Sequence, residues 1–363
     1  MAADPQRAVG RSITVLTMRI QEFRQHLRDA GAKPCHEGRI LRAWLAGEPL
    51  AAMDRLGRPG ADLPAGVRTR LPTLAAELAG LARIHDEHHA EDGSARWVVT
   101  LADGQMVESV LLPRDGLCVS TQVGCAVGCV FCMTGREGLV RQVGSAEIAA
   151  QVVLARSRRK VGRVVFMGMG EPSHNLENVL EAIQALGQEG AIAHKNLVFS
   201  TVGDLRVFER LPLGPVKPAL AISLHSTLAE RRAELLPRAP RISPEELVAL
   251  GEAYARRVGH PIQYQWALID GVNDGTEELA GMARLLAGKH AMMNLIPYNQ
   301  VPGLPFRRPP GERVAHIVAS LRAQGIVTTV RQSAGQDVDG GCGQLRARSQ
   351  VLRGPRPRGT LAA

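Results

Sequence analysis

Three cysteines stand close together in the spacing Cys-x-x-x-Cys-x-x-Cys: Cys125, Cys129 and Cys132. Three thiolates on one short loop can hold three irons of a [4Fe–4S] cluster and leave the fourth iron open to another ligand. A structural zinc ion would need a fourth thiolate or imidazole at comparable spacing, and Cys118, seven residues upstream, is a poor candidate for that role. The triplet therefore predicts an iron–sulfur cluster rather than zinc.

Polar and glycine-rich positions follow several short apolar runs further along the chain. One such run is followed by Gly168-Met-Gly-Glu-Pro172, whose glycines let the backbone approach a ligand and whose carboxylate can bind an ammonium group. Four more polar residues end or follow later runs: Ser200, Ser223, His225 and Asn299. The Gly-x-Gly-Glu turn alone is typical of a tight turn, but beside the cysteine triplet it indicates a ligand site.

These residues belong to short apolar runs that alternate with helical patterns. The predicted strands are Leu117–Thr121, Arg163–Met167, Leu197–Thr201, Ala219–Leu224, Ile262–Leu268 and Ala291–Pro297, with a last one near Val327–Arg331. The predicted helices between them are Ser145–Ala155, Asn178–Gly187, Pro244–Val258 and Thr276–Leu286. Alternating strands and helices indicate a parallel sheet, and α/β barrels carry their chemistry at the C-terminal ends of the strands. We therefore predict an α/β fold built on a partial (βα)6 TIM-like barrel.

Two smaller regions precede the predicted barrel core, which spans residues 117–345. Residues 1–81 are predicted to form a small helical accessory module, with helices at Arg19–Ala30, Glu37–Leu45 and Gly66–Leu81. Residues 82–116 are predicted to form a β-hairpin extension, because two strand patterns flank the turn Asp103-Gly104. Residues 346–363 form a basic C-terminal tail.

Composition narrows the class of protein. The chain has 44 basic and 35 acidic side chains, a net charge of +9, which suggests a polyanionic partner such as RNA or DNA. Aromatic residues make up only 3%, which argues against a surface that stacks many bases. The sequence has no apolar run of about 18 residues and no secretory signal pattern, so we predict a cytoplasmic protein that does not enter a membrane.

The longer motifs resemble the RlmN/Cfr group of radical SAM RNA methyltransferases. The similarity runs from about Trp97 to Leu345. It rests on Cys118-Val-Ser-Thr-Gln-Val-Gly-Cys125, Gly168-Met-Gly-Glu-Pro172, Ala219-Leu-Ala-Ile-Ser-Leu-His225, Asn273-Asp-Gly275, Asn294-Leu-Ile-Pro-Tyr-Asn299 and Asp339-Gly-Gly-Cys342-Gly-Gln-Leu345. Several of these motifs are specific to that group. The resemblance implies a radical SAM barrel whose open iron binds S-adenosylmethionine (SAM).

The resemblance also implies that an adenine ring carbon is methylated by way of the protein, because C2 and C8 of adenine are not nucleophilic enough to attack SAM. Cys342 would accept a methyl group from one SAM, and a 5′-deoxyadenosyl radical from a second SAM would take a hydrogen atom from that methyl group. The methylene radical would add to the ring carbon. Glu108 would then remove the ring proton, and Cys118 would attack Cys342 to release the RNA and leave a transient disulfide.

The same resemblance assigns the remaining site residues. Cys125, Cys129 and Cys132 are the implied cluster ligands, and the implied SAM contacts are Gly170, Glu171, Ser200, Ser223, Leu224, His225 and Asn299. Glu108 and one of the SAM contacts, His225, have a plainer interpretation from the residue pattern alone. Glu108 is compatible with a solvent-facing strand residue, although partial burial would raise its pKa and suit a general base. His225 is compatible with a buried structural histidine.

The predicted function is methylation of adenosine C2 in 23S rRNA, with tRNA as a second substrate and a flavodoxin as the expected type of electron donor to a monomeric enzyme. C8 methylation of rRNA is the first alternative. A radical SAM enzyme or an RNA-binding protein with a different target is the other. Departures from the group's usual pattern at Leu139–Gln142, Val202-Gly203 and Ala334-Gly335 leave the choice of RNA open. Two features carry no functional prediction: the polar run His85-Asp-Glu-His88-His89 and the isolated Cys35.

Overall fold

The structure is a computed structural model that describes residues 18–50, 53, 63–301 and 303–346. The first 17 residues and all of the predicted basic tail except Arg346 lie outside this part of the chain. The described helices are α1 (Ile20–Asp29), α2 (Pro34–Ala46), α3 (Ala65–Gly80), α4 (Ser145–Arg156), α5 (Leu176–Gln188), α6 (Leu205–Arg210), α7 (Ala229–Leu235), α8 (Pro244–Val258), α9 (Thr276–Leu286) and α10 (Gly311–Ala323). The described strands are β1 (Ala82–His89), β2 (Ala95–Leu101), β3 (Met106–Leu111), β4 (Gly116–Cys118), β5 (Gln122–Gly124), β6 (Leu139–Gln142), β7 (Arg163–Phe166), β8 (Leu197–Thr201), β9 (Ala219–Ser223), β10 (Ile262–Leu268), β11 (Ala291–Pro297) and β12 (Thr328–Val330).

Ten of the strands form one sheet in the order β1-β2-β3-β4-β7-β8-β9-β10-β11-β12. The seven strands from β4 to β12 in this order are parallel, and at least one helix lies between each consecutive pair along the chain. Among the described residues the two edge strands, β1 and β12, do not pair with each other, so the barrel is open. The predicted α/β fold with a partial barrel is confirmed.

The two faces of the central strands carry side chains of different size. Val165, Val198 and Ala221 belong to a small inner cluster that also contacts Leu112 and Met167. The alternate residues of the same strands, such as Phe166 and Phe199, pack into the large cluster that includes the helices. Strands buried on both faces are typical of parallel sheets covered by helices. The short inner side chains leave space for a cavity at the end of the barrel.

The predicted hairpin is present, but the region around it is larger than predicted. β2 and β3 pair about the Asp103-Gly104 turn, with Val98 opposite Glu108. The preceding polar segment forms β1 and adds a third antiparallel strand, while β3 pairs with β4, so the extension continues the barrel sheet. The short pair β5–β6 was not predicted, and neither were α6, α7 and α10. β4 ends at Cys118 because the chain beyond it bonds to the loop after β7, where Thr121 N donates to Met169 O at 2.9 Å.

The N-terminal helices pack directly on the barrel. Their buried side chains, including Ile20 and Phe23, belong to the same hydrophobic cluster as the barrel helices. Ile20 N donates to Ser145 Oγ at 2.8 Å, and the Arg24 guanidinium lies 2.6 Å from Glu189. The domain boundaries stay a prediction. No described helix is both long enough and apolar enough to cross a bilayer.

Candidate active site

One cavity of about 510 Å³ brings together most of the predicted site residues at the C-terminal ends of the parallel strands. The predicted residues that line it are Cys118, Cys125, Cys129, Cys132, Gly170, Glu171, Ser200, Ser223, His225, Asn299 and Cys342. Two predicted residues do not line it. Leu224 is fully buried behind the cavity wall, and Glu108 lies in β3, two residues before the cavity-lining Val110. Side chains two apart on a strand share a face, so Glu108 faces the cavity side of the sheet.

The loop that carries the cysteine triplet begins directly after β5. Gly124 ends that strand with φ +79°, and a Cβ there would lie 2.1 Å from Gly138 O, so only glycine fits this crossing. Cys125 N then donates to the same carbonyl at 3.0 Å. At the far end of the loop, Met133 N donates to Gly343 O at 2.8 Å and thereby ties the triplet to the segment that carries Cys342.

The three thiols of the triplet lie in a poorly solvated pocket. Burial raises the pKa of Cys125 to about 12 and the pKa of Cys129 well above its ordinary value, and neighbouring thiols and Glu171 add to both shifts. Burial also raises the pKa of Cys132. Such thiols ionise when a cationic centre lies among them, since coordination to a metal deprotonates a thiol. Their chemistry is therefore that of metal ligands rather than of free nucleophiles.

A single metal ion is a poor match for these side chains. Within the described ranges, no three metal-binding side chains form a group that could hold one ion. In a [4Fe–4S] cluster each cysteine binds its own iron, so three thiolates need not converge on one point. This difference favours the predicted cluster over zinc.

Glu171 presents a buried carboxylate in the turn that follows β7. Its oxygens accept hydrogen bonds from Ser173 N and Val202 N, both at 3.1 Å, and its own N–H donates to Gln122 Oε1 at 2.8 Å. Burial nevertheless raises its pKa. Gly170 beside it has φ +100°, and a Cβ there would lie 2.5 Å from Gln122 Cβ. The turn thus holds a carboxylate in a site that favours an ammonium partner.

His225 lies in the cavity as a neutral imidazole. Burial, reinforced by the positive charge of Arg232, lowers its pKa to about 3. Nδ1 accepts a hydrogen bond from Ala267 N at 2.9 Å, so the ring proton resides on Nε2. The ring contacts Phe131 edge-on, with centroids 5.0 Å apart. His225 therefore offers the neutral Nε2–H group as a donor. The residue is buried, as the plainer interpretation has it, and it also lines the cavity.

Asn299 joins the cavity to the segment that carries Cys342. Its amide nitrogen donates to Ser333 Oγ at 2.7 Å and to Cys342 O at 3.0 Å. Its Oδ1 is buried and has no hydrogen-bond partner within the described part of the chain. A buried amide oxygen in this state is available to a ligand donor. Ser200 and Ser223, on β8 and β9, add two hydroxyls to the same wall.

Cys118 and Cys342 line the cavity apart from the triplet. Cys118 ends β4, whereas Cys342 is exposed and lies in a glycine-rich C-terminal segment. Burial raises the pKa of Cys118 to about 12, with a further contribution from the neighbouring Cys342, while Arg331 opposes the shift. All six cysteines of the chain carry free thiols.

Glu108 is buried, so the interpretation as a solvent-facing residue is wrong. Its Oε1 forms an ion pair with Arg96 Nη1, and its Oε2 accepts a hydrogen bond from Arg346 N at 2.7 Å. Burial raises its pKa, and the positive charge of Arg96 opposes this shift. The carboxylate thus lies under the C-terminal segment rather than in the open cavity.

Two arginines at this site were not predicted from the sequence. Arg331 follows β12, lines the cavity and lies near Cys118. The apolar pattern that predicts this strand gives Arg331 no functional role. Arg96 lies on β2, and the hairpin register places it diagonally across from Glu108 on the same face. That register could have been counted back from the Asp-Gly turn, so the pair was predictable in principle.

Comparison with known proteins agrees with this geometry. The radical SAM superfamily matches residues 119–285. A probable RNA methyltransferase from Pseudomonas aeruginosa is 68% identical over 333 residues, which cover 92% of this chain and 96% of that protein. A probable RNA methyltransferase from Leptothrix cholodnii is 67% identical over 91% of this chain and 95% of its own length. The crystal structure of a radical SAM methyltransferase from Sphaerobacter thermophilus has a TM-score of 0.77 and 35% identity over 91% of this chain and 98% of that chain.

The barrel, the cysteine triplet and these similarities define a radical SAM protein. Within that class, the chain belongs to the RlmN/Cfr-like family, together with the relatives called probable RNA methyltransferases. Membership implies a [4Fe–4S] cluster and SAM as cofactors. The residues present fit both groups: three poorly solvated thiols for the iron, and for SAM the Glu171 carboxylate with the Asn299 Oδ1 that has no partner among the described residues.

Proposed function

We propose that this protein methylates C2 of an adenosine in RNA, with Cys342 as the carrier of the methyl group. Family membership supports the coarser statement that it is a SAM-dependent RNA methyltransferase. The regiochemistry, the methylcysteine and the RNA are parts of our proposal. We propose 23S rRNA as the main substrate and tRNA as a second one.

The observation that carries the proposal is the position of Cys118 and Cys342. Both line the cavity that contains the cysteine triplet, and Cys342 lies near enough to contribute to the raised pKa of Cys118. A protein that only bound RNA, or a radical SAM enzyme that made no cysteine-linked intermediate, would need neither residue. Two cysteines beyond the triplet in one cavity fit a methyl carrier and a residue that releases the product from it.

The residues of the cavity divide into those that hold cofactors and those that handle the substrate. Cys125, Cys129 and Cys132 would hold the cluster, and Glu171 would bind the SAM ammonium group. Gly170, Ser200, Ser223, His225 and Asn299 would contact SAM with side chain or backbone, and Leu224 with its backbone. When bound, the cluster and SAM supply one-electron reduction and a carbon-centred radical.

The remaining roles belong to three residues of the chain. Exposed Cys342 would carry the methyl carbon and form the bond to the adenine through it. Glu108 would accept the ring proton on its carboxylate, and the one surplus electron of the radical adduct would need the oxidised cluster as its acceptor. The sulfur of Cys118 would then form a bond to the sulfur of Cys342 as the Cys342–carbon bond breaks, which requires that the Cys118 thiol first lose its proton. The departing carbon would keep the bonding electron pair and take up one proton, and it would thereby become the methyl group of the product. The high pKa of Cys118 keeps it protonated until that step.

RNA is supported as the substrate by the names of the relatives and by the net charge of +9. Ala334 lines the cavity at a position where the family usually has arginine, which supports a difference in RNA contacts. A cytoplasmic location, a flavodoxin-type electron donor and a monomeric chain stay predictions within this proposal.

The test is nucleoside mass spectrometry after anaerobic reconstitution of the protein with iron, sulfide, SAM and a reductant. Unmodified 23S rRNA and unmodified tRNA are incubated in separate reactions. We expect 2-methyladenosine in the rRNA and, at a lower level, in the tRNA. Appearance of 8-methyladenosine would instead establish the alternative regiochemistry, and absence of both products while SAM is cleaved would overturn the proposal.

Cysteine variants test the pathway. Cys342→Ala should abolish methyl transfer while the cluster and SAM binding persist, and Cys118→Ala should accumulate a covalent protein–RNA adduct. Cys35→Ala is the matched control, because Cys35 is an exposed thiol on α2 away from the cavity. Unchanged turnover of Cys342→Ala would refute the methyl-carrier role.

A further inference from the structure

Both carboxylate oxygens of Glu108 are bonded to residues that connect them to the segment carrying Cys342, which we call the Cys342 segment. We define this segment as residues 335–346. Arg346 N, within the segment, donates to Glu108 Oε2 at 2.7 Å. Arg96 pairs with Oε1, and the Nε atom of the same guanidinium donates to Val338 O in the segment. Arg96 thus bridges the proposed base and the loop that carries the proposed methyl carrier.

The turn between β1 and β2 holds the Cys342 segment independently of Glu108. Gly335 N donates to Asp92 Oδ2 at 3.1 Å, and Glu91 N donates to Asp337 Oδ2 at 3.1 Å. These bonds fix the start of the segment, whereas Arg96 and Glu108 fix its middle and end. The segment is therefore held at several places, which include the bonds of Met133 and Asn299 described above, and only the attachment through Arg96 and Arg346 includes the base.

We propose that Arg96 is a positioning residue that couples the Cys342 segment to Glu108, so that the carboxylate becomes available to the substrate when the segment moves away from it. This inference rests on the proposed function, in which Glu108 accepts the proton of the adenine carbon. In the structure, both oxygens of the Glu108 carboxylate have partners: Arg96 on Oε1 and Arg346 N on Oε2. Displacement of Arg346 frees Oε2 for that proton, while Arg96 remains on Oε1.

The physical reason for Arg96 is the burial of Glu108. Desolvation penalises the ionised carboxylate, and a base must be ionised to accept a proton. The charged groups that act on Glu108 are Arg96 from β2 and Arg346 from the Cys342 segment, and both favour the ionised form. Ser120, which lies just after β4, is neutral, and its hydroxyl donates to the main-chain carbonyl of Glu108 rather than to the carboxylate. Once Arg346 withdraws, Arg96 is the remaining cation.

The experiment follows the proton that Glu108 would accept. RNA that carries deuterium at adenine C2 is incubated with reconstituted Cys118→Ala enzyme, in which release by disulfide formation is blocked, and deuterium loss to water is measured against pH. Arg96→Gln in this background should raise the pKa of the base and move the profile toward higher pH. A shift of about one unit would make the loss about tenfold slower on the acidic side.

Three variants separate coupling from a merely structural effect. Arg96→Lys retains the charge and should restore much of the profile. Asp92→Asn weakens an attachment that does not include the base and should leave the position of the profile unchanged. Arg83→Gln removes an exposed arginine from neighbouring β1 and is the matched control for loss of charge. If the Arg96→Gln profile coincides with that of the Asp92→Asn enzyme, the proposal is wrong.

Hydrogen exchange of the holoenzyme provides a second measurement that needs no turnover. Arg96→Gln and Asp92→Asn should each speed amide exchange across residues 335–346, whereas Arg83→Gln should not. Unchanged exchange in Arg96→Gln would overturn the attachment of the segment even if the enzyme makes methyladenosine. If exchange responds as expected but no methyladenosine forms with any RNA, the proposed function fails, and the catalytic part of this inference fails with it.

Discussion

The His225 imidazole illustrates how the fold selects a protonation state. Its positive φ of 59° turns the chain directly after β9, and the ring is buried with Nδ1 already bonded to a backbone N–H. Protonation of Nδ1 would break that bond and place a charge beside Arg232. The neutral form is therefore part of the folded structure as well as of the cavity.

We predict that His225 makes folding less favourable at mildly acidic pH. Its pKa falls from 6.5 to about 3 on folding, so below pH 6.5 the unfolded chain binds a proton that the folded chain does not. The free energy of unfolding should fall by about 1.4 kcal/mol per pH unit from this group alone. Urea unfolding of iron-free protein between pH 7.5 and 5 should show a shallower dependence for His225→Gln. Equal slopes would contradict the neutral, buried state.

At the scale of elements, the turn after β7 depends on a glycine that no other residue can replace. Gly170→Ala should place a Cβ into Gln122 at a φ that strains any other residue. We expect a loss of about 1–3 kcal/mol in unfolding free energy and weaker SAM binding, because the strain falls beside Glu171. Thermal unfolding and equilibrium dialysis with SAM measure the two effects.

Gly80→Ala is the control for this substitution. Gly80 ends α3 outside the cavity, and a Cβ added there would meet no side chain or neighbouring element within 4 Å. Alanine in a helix is favoured over glycine by up to about 1 kcal/mol, so this variant should be as stable as the parent or slightly more stable. A comparable loss in both variants would show that the turn is not specially constrained.

The central strands and helices could be predicted from the sequence because their burial follows a simple pattern. Leu197–Thr201, Ile262–Leu268 and Ala291–Pro297 are short runs of mostly apolar residues, and the structure has the same bounds. The sequence pattern does not give the bounds of β1, because it is an edge strand with mostly polar, partly exposed side chains. β5 and β6 are three and four residues long, too short to show a period.

The site likewise contains residues that the sequence predicts and contacts that it does not. Residues at strand ends, such as Ser200 and Ser223, follow from the rule that barrel chemistry lies there. The contact of Glu108 with Arg346 joins residues 238 positions apart, and no local pattern encodes it. Glu108 could be assigned from the resemblance, but its position under the Cys342 segment required the three-dimensional arrangement.

At the scale of the whole molecule, the described N-terminal helices and the barrel share one hydrophobic core. Phe23 of α1 is buried, and its ring centroid lies 6.3 Å from that of Trp44 of α2. Both residues belong to the cluster that also contains Trp266 of β10. Arg24 and Arg19 add ion pairs to the barrel helix α5 and its C-terminal end. A shared core favours unfolding as one unit.

We predict that Phe23→Ala lowers the stability of the barrel together with that of the helices. Loss of a buried phenylalanine side chain costs about 3–5 kcal/mol, and the shared core should convert this into a lower Tm for a single transition. Calorimetry and circular dichroism should report the same midpoint. Leu213→Ala, at a residue that is 67% exposed, should leave Tm unchanged. Two separated transitions would mean that the helices fold on their own.

The hydrogen bond from Met133 to Gly343 has a consequence for damaged molecules. A second bond, from Thr134 Oγ1 to Leu345 O at 2.8 Å, lies beside it. The residues that follow Cys132 are therefore hydrogen-bonded directly to the residues that follow Cys342. Oxidative loss of iron that displaces the triplet would therefore also loosen the segment that carries Cys342 on this side. If Cys342 carries the methyl group as proposed, one lesion would disturb both the cluster ligands and the methyl carrier.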